Sequence, residues 1–299
     1  MGVQSLMAAP KAGSKGGGVS DPLWRGEVGV AGGTLPVAMA GEGTPLIMLH
    51  GWSLDHRMWA PQIADLAQDH FLVMPDRRGC GRASAPADLA QEAEDVIAIA
   101  DFLGFERFAL LGLSRGAVVA LDVARQYGSR LTGLVISGAP LPALVPREET
   151  IDLDRFRVLA ASRDLATLRA EWATHPLMAT RTPEAGALMA EILADYDGRD
   201  LLAPTNTPGF PREVISVLPM PVLAMTGAFD TPWRRACAAA LADAAPRARH
   251  ALIPDAGHLA NADNPVGFNA AVADFLRVCA PLQSCLLYTS DAADDLLCV

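Results

Sequence analysis

Short apolar runs of strand length alternate with longer segments of helical period along most of this chain. "PLIMLH" (45–50), "FLVMP" (71–75), "FALLGL" (108–113), "LTGLVIS" (131–137), "PVLAMTG" (221–227) and "RHALIP" (249–254) each read as a strand. Their near-continuous hydrophobicity is what strands covered on both faces require, and it predicts a mostly parallel sheet wrapped by helices. Between two of them, residues 88–104 put Leu89, Ala93, Val96, Ile97, Ala100 and Leu103 on one helical face, and Gly104 stops the run. Upstream, "RGEVGVAGGTLPVAMAG" predicts two antiparallel strands turning at Gly32-Gly33.

The alternation breaks between residues 141 and 217. No apolar strand occurs there, only helix-like segments broken by Pro146, Pro176, Pro183, Pro204 and Pro208. The clearest are "RDLATLRAEWATHP" and "PEAGALMAEILADYDG". An all-helical insertion between two sheet strands is expected to form a lid over the sheet's C-terminal edge, where open α/β sheets bind ligands. The expected organisation is a disordered leader (1–22), a core formed by 23–140 and 218–281, a helical lid (141–217), and a tail (282–299) foreign to the rest. Within that tail, "CLLYTSDAADD" (285–295) reads as translated sequencing adapter, and it is left out of fold reasoning.

Composition narrows the partners. Half the residues are hydrophobic, yet no apolar run reaches the length that spans a bilayer. The formal net charge of −10 comes without a Lys/Arg cluster, which argues against nucleic acid and anionic membranes. The five cysteines (Cys80, Cys237, Cys279, Cys285, Cys298) form no C-x-x-C pair or regular framework. A reduced, cytoplasmic protein without a bound metal is expected, as a monomer or homodimer.

The candidate chemistry starts at Ser114, between Gly112 and Gly116 in "GLSRG". The pentapeptide alone carries little weight, but here it follows a buried strand and opens a helix. A serine on a sharp strand-to-helix turn exposes Oγ, and the helix N-terminus stabilises negative charge beside it. Such a hydroxyl needs a base, and the base needs an orienting carboxylate. His70, His175 and His250 read as structural or surface residues. His258 follows the last strand in a Gly-containing loop and is the candidate base. Asp230, in the loop after "PVLAMTG", is the candidate acid, ahead of Asp255, which is too near His258 in sequence and better suited to shaping the loop.

The order Ser114, Asp230, His258 resembles that of the α/β-hydrolase fold over residues 24–280. "LHGW" (49–52) is similar to that family's oxyanion loop, and "PDRRGCGRASAP" to its turn after the fourth strand. The resemblance implies that the backbone N–H groups of Trp52 and Arg115 form the oxyanion hole and that no cofactor takes part. A dinucleotide reading of Gly79-Cys80-Gly81 fails, because no third glycine follows and Pro86 interrupts. A serine nucleophile separates the chain from relatives that use Asp there. The likeness is greatest to small carboxylesterases and enol-lactone hydrolases, so a small-molecule ester or lactone is the expected partner. Perhydrolysis, C–C bond cleavage and amide hydrolysis remain open on the same triad, as does a binding protein without turnover. Trp52 and Arg115 are also candidate substrate contacts. A cation at a helix N-terminus opposes the dipole, so the Arg115 side chain is expected to meet either a substrate carboxylate or a nearby acidic residue, for instance one in the insertion.

Overall fold

The computed structural model describes residues 23–203 and 208–279. The expected leader and tail, Pro204, Cys285 and Cys298 lie outside the described residues. Eight strands form one sheet: β1 (Trp24–Val30), β2 (Gly33–Ala40), β3 (Thr44–Leu49), β4 (His70–Pro75), β5 (Phe108–Leu113), β6 (Leu131–Ser137), β7 (Val222–Gly227) and β8 (Ala248–Ile253). Their spatial order is β1-β2-β4-β3-β5-β6-β7-β8. The β1–β2 and β2–β4 pairings are antiparallel and the others parallel.

Ten helices accompany the sheet among the described residues: α1 (Ala60–Leu66), α2 (Glu92–Phe102), α3 (Arg115–Tyr127), α4 (Leu153–Ala161), α5 (Leu165–Ala173), α6 (Pro183–Asp195), α7 (Arg212–Ile215), α8 (Pro232–Ala244), α9 (Ala260–Asp263) and α10 (Pro265–Cys279). Alternate residues of β5 explain the continuous apolar run. Phe108 and Leu110 join the core beneath α2, α3 and α8, while Ala109, Leu111 and Leu113 join the core shared with α1 and α10. A strand buried on both faces has no position at which water would favour a polar residue.

Two expectations are corrected. β8 is an edge strand with one neighbour, and Arg249, His250 and Leu252 on it are exposed, so it is not covered on both faces. The helix expected over 88–104 begins only at Glu92. Asp88 accepts from the Ala90 N–H and the Gln91 amide, which holds a turn ahead of the helix, and Leu89 packs into the core from that turn rather than from the helix.

The stretch between β6 and β7 carries α4 to α7 and no strand among its described residues. The "RDLATLRAEWATHP" and "PEAGALMAEILADYDG" segments form α5 and α6. Sequence reading passed over α4, although Asp152 caps it by accepting from the Arg155 N–H, as Asp164 and Thr182 cap α5 and α6.

Candidate active site

Ser114 is the single residue joining β5 to α3, and its backbone sits at φ 54, ψ −109, outside the ordinary regions for an L-residue. Its N–H donates to the Ser137 carbonyl at 2.8 Å, tying the turn to the end of β6. The two flanking glycines are a packing necessity. A Cβ on Gly112 would collide with the Gly116 carbonyl, and one on Gly116 with the Leu49 and His50 carbonyls at the end of β3. Strand and helix can converge this sharply only where neither carries a side chain.

The histidine and carboxylate come from the ends of the last two strands. Asp230 lies three residues past β7 and His258 five past β8. His258 Nδ1 is 2.9 Å from Asp230 Oδ2, and both side chains are almost fully buried. The carboxylate also accepts from the Thr226 hydroxyl at 3.0 Å and the Thr231 N–H at 2.7 Å. Burial pushes the Asp230 carboxyl up, but the charge and hydrogen bond of His258, with Arg234 behind, outweigh it and hold the group below its ordinary value. An ionised Asp230 thus requires a proton on His258 Nδ1 and leaves Nε2 to accept. Asp255 is exposed and takes a positive φ of 53, a loop-shaping position.

A second carboxylate supports this pair. Glu149, in the segment after β6, accepts from Arg234 of α8 through Nε at 2.9 Å and Nη2 at 2.7 Å, and from the Thr231 hydroxyl at 3.1 Å. Arg234 Nη1 donates to the Gly138 carbonyl at 2.7 Å. Gly138 packs against the His258 imidazole, so close that a Cβ there would strike the ring. Sequence reading did not single out this pair, because 85 residues separate its members.

Ser114 and His258 line the same cavity, of about 190 Å³. Among the described residues Ser114 Oγ makes no hydrogen bond, and such contacts tighten when substrate binds. Ile151, Leu153, Trp172, Leu177 and Met178 bring the helical insertion to the cavity wall. Trp52 is there too; its indole N–H donates to the Tyr196 hydroxyl at 3.0 Å, which in turn donates to Asp200 at 2.7 Å. The Trp52 and Arg115 backbone N–H groups have no acceptor among the described residues.

The loop carrying Trp52 is held by His50, which sequence reading treated only as part of "LHGW". Its ring is fully buried, with Nδ1 2.8 Å from the Gly51 carbonyl and Nε2 accepting the Arg77 N–H at 2.9 Å. Burial, reinforced by the neighbouring Arg77 charge, lowers its pKa from 6.5 to about 4. The three histidines read as structural or surface residues sit accordingly: His70 bonds Thr44 at the start of β4, His175 stacks on Trp172, and His250 is exposed on β8. Asp55, His56 and Asp76 lie close enough together to ligate a cation. Their oxygens are already engaged, Asp55 by Arg57 and Asp76 by His56 and the Arg82 N–H.

An eight-stranded, mostly parallel sheet with a serine elbow, and a carboxylate–histidine pair at the following strand ends, defines the α/β-hydrolase class of architecture. Comparison with known proteins agrees. Residues 46–271 match the model of the alpha/beta hydrolase family, and the chain belongs to that family. It is 26% identical over 240 residues to the putative carbamate hydrolase RutD of Escherichia coli, covering 75% of this chain and 87% of that one. It is 27% identical over 245 residues to the pimeloyl-[acyl-carrier protein] methyl ester esterase of Edwardsiella ictaluri, covering 77% and 92%. A thermophilic esterase from Thermogutta terrifontis superposes with a TM-score of 0.74 at 24% identity, over 86% of this chain and all of the other. No described helix is long and apolar enough to cross a membrane.

Proposed function

We propose that this member of the hydrolase family is a serine hydrolase of small carboxylic esters or lactones, working through an acyl-enzyme. The observation that carries the reading is the 2.9 Å contact between His258 Nδ1 and Asp230, in a pair whose imidazole shares a cavity with Ser114. A binding protein has no use for a buried carboxylate that orients a base.

Ser114 Oγ attacks the carbonyl carbon while His258 Nε2 takes its proton, and Asp230 holds the imidazole in the required tautomer and stabilises the imidazolium. The backbone N–H groups of Trp52 and Arg115 receive the developing oxyanion, aided by the N-terminus of α3. Collapse expels the alcohol, which takes the proton from His258. Water, deprotonated by His258, then attacks the acyl group, and release of the acid restores Ser114. The cavity volume suits a small substrate rather than a long acyl chain, and α4 to α6 act as its lid.

An amide or carbamate would pass through the same steps, and one relative is named a putative carbamate hydrolase. The test is labelling by a fluorophosphonate probe, followed by turnover of p-nitrophenyl esters of increasing chain length, a lactone, an amide and a carbamate. Labelling lost in Ser114→Ala, with fastest turnover of short esters or lactones, is expected. An unlabelled wild-type protein that turns over none of them overturns the reading.

A further inference from the structure

The loop carrying Trp52 is gripped from two sides, and one of them is the helical insertion. The peptide joining Gly51 to Trp52 is planar, so its N–H points opposite to the Gly51 carbonyl. From the core, His50 Nδ1 meets that carbonyl at 2.8 Å. One bond at one end leaves the plane room to rock. The Trp52 end has to be fixed by its side chain and its own carbonyl.

The insertion reaches both. The Trp52 indole is buried against Phe156 of α4, Trp172 of α5 and Tyr196 just past α6, with ring centres 5.9, 4.3 and 6.3 Å away. Its N–H donates to the Tyr196 hydroxyl at 3.0 Å. The Trp52 carbonyl accepts from the Ser53 hydroxyl at 2.6 Å, and that hydroxyl accepts from the Trp172 indole N–H at 2.7 Å. Ser53 takes a φ of 60, in the left-handed region that serine ordinarily avoids, so surrounding contacts must hold the loop in this shape.

The insertion also bears on Arg115, whose N–H is the second proposed oxyanion donor. Asp200 accepts from the Tyr196 hydroxyl at 2.7 Å and lines a small cavity together with Arg115 and Glu92. Burial pushes the Asp200 carboxyl up, opposed by the Tyr196 hydrogen bond and then by the Arg115 charge. An acidic residue of the insertion thus answers the Arg115 cation on the first turn of α3, as the sequence allowed. Beside it, Arg199 donates to the carbonyls of Gly79, Cys80, Gly81 and Ala83 at 2.9 to 3.1 Å, fastening this end of the insertion to the loop between β4 and α2.

Building on the hydrolase reading, we infer that Trp172 and Tyr196 are positioning residues for the oxyanion hole: the docked insertion sets the direction of the Trp52 N–H, so the cavity's cover and its catalytic donor are assembled together. Removing an oxyanion donor outright costs about 10²- to 10³-fold in kcat, and a donor that loses one of its supports should cost about 10-fold.

The test uses Tyr196→Phe and Trp172→Phe, which keep an aromatic ring and remove only the hydrogen-bonding group. Steady-state kinetics on p-nitrophenyl acetate should show kcat lower by about 10-fold in each, with KM within about twofold of wild type. Affinity for a trifluoromethyl ketone, which adds to Ser114 as a tetrahedral oxyanion, should fall by the same factor as kcat, because both depend on the same donor. Made in a Trp52→Phe background, Tyr196→Phe should lower kcat no further, since the indole N–H it serves is gone. Melting temperatures identify the folded variants, and if one of the two fails to fold the other decides. Folded variants with wild-type kcat, or a loss of turnover without a matching loss of ketone affinity, overturn this inference alone. So does a further fall in kcat in the Trp52→Phe background. A wild-type protein that turns over no ester and takes no fluorophosphonate label overturns the hydrolase reading, and this inference with it.

Discussion

Replacing His50 by Gln tests whether the loop bearing Trp52 is held by a neutral imidazole. A carbonyl can only accept, so Nδ1 facing the Gly51 oxygen must carry the proton; an amide can only donate, so Nε2 facing the Arg77 N–H must be bare. Only one neutral tautomer fits, and a second proton would also meet the buried Arg77 guanidinium, whose Nε donates to the His50 carbonyl at 3.0 Å. With the folded pKa near 4 against 6.5 in the open chain, the unfolded state binds the proton first as pH falls. The contribution of His50 is therefore intact above pH 6.5 and declines by about 1.4 kcal/mol per pH unit below it. Levelling off near pH 4, it has by then lost about 3 kcal/mol. His50→Gln supplies a non-titrating acceptor near the Nε2 position, so the difference between wild type and variant isolates this one group. Urea denaturation at pH 7.5 should show the variant less stable by about 1 to 3 kcal/mol, the cost of one imperfectly replaced buried contact. Repeated at pH 6.0, 5.0 and 4.5, the gap should narrow and then close or reverse. Parallel stability curves over that range would refute the argument, because they would mean the imidazole is free to take its proton in the fold.

Other substitutions probe the proposed chemistry and its support. Ser114→Ala should lower kcat for a small ester by roughly 10⁵ to 10⁶, with His258→Ala similar and the double variant little worse; additive losses in steady-state kinetics would mean the two do not act as a unit. Asp230→Asn should cost about 10⁴ in kcat by presenting the wrong imidazole tautomer, and a larger loss from Asp255→Asn would show that the wrong carboxylate had been chosen. Glu149→Gln leaves the Arg234 guanidinium buried without a countercharge, so calorimetry should record a melting temperature lower by roughly 10 °C, and an unchanged value would show the pair to be dispensable.

The parts of this protein that could be read from sequence are those determined by consecutive residues. Gly112, Ser114 and Gly116 announce the elbow because the clash that forbids a Cβ arises within one strand-turn-helix unit. The doubly apolar runs announce the parallel strands because each residue of such a strand meets a helix on one face or the other. Asp230 and His258 stood out because both follow strands whose ends a parallel sheet brings to one edge, and the structure sets them 2.9 Å apart. What escaped depends on distant segments meeting. The exposure of β8 follows from its place at the sheet's edge, which its composition does not encode. The buried Glu149–Arg234 pair, the neutral His50 and the bond from Trp52 to Tyr196, 144 residues away, exist only once separate loops pack together. Whether Arg115 meets an acidic neighbour was likewise open in the sequence, which offers many carboxylates. Only the packed chain brings Glu92 and Asp200 into the field of Arg115, because a charge's partner is set by distance and burial rather than by its neighbours along the chain.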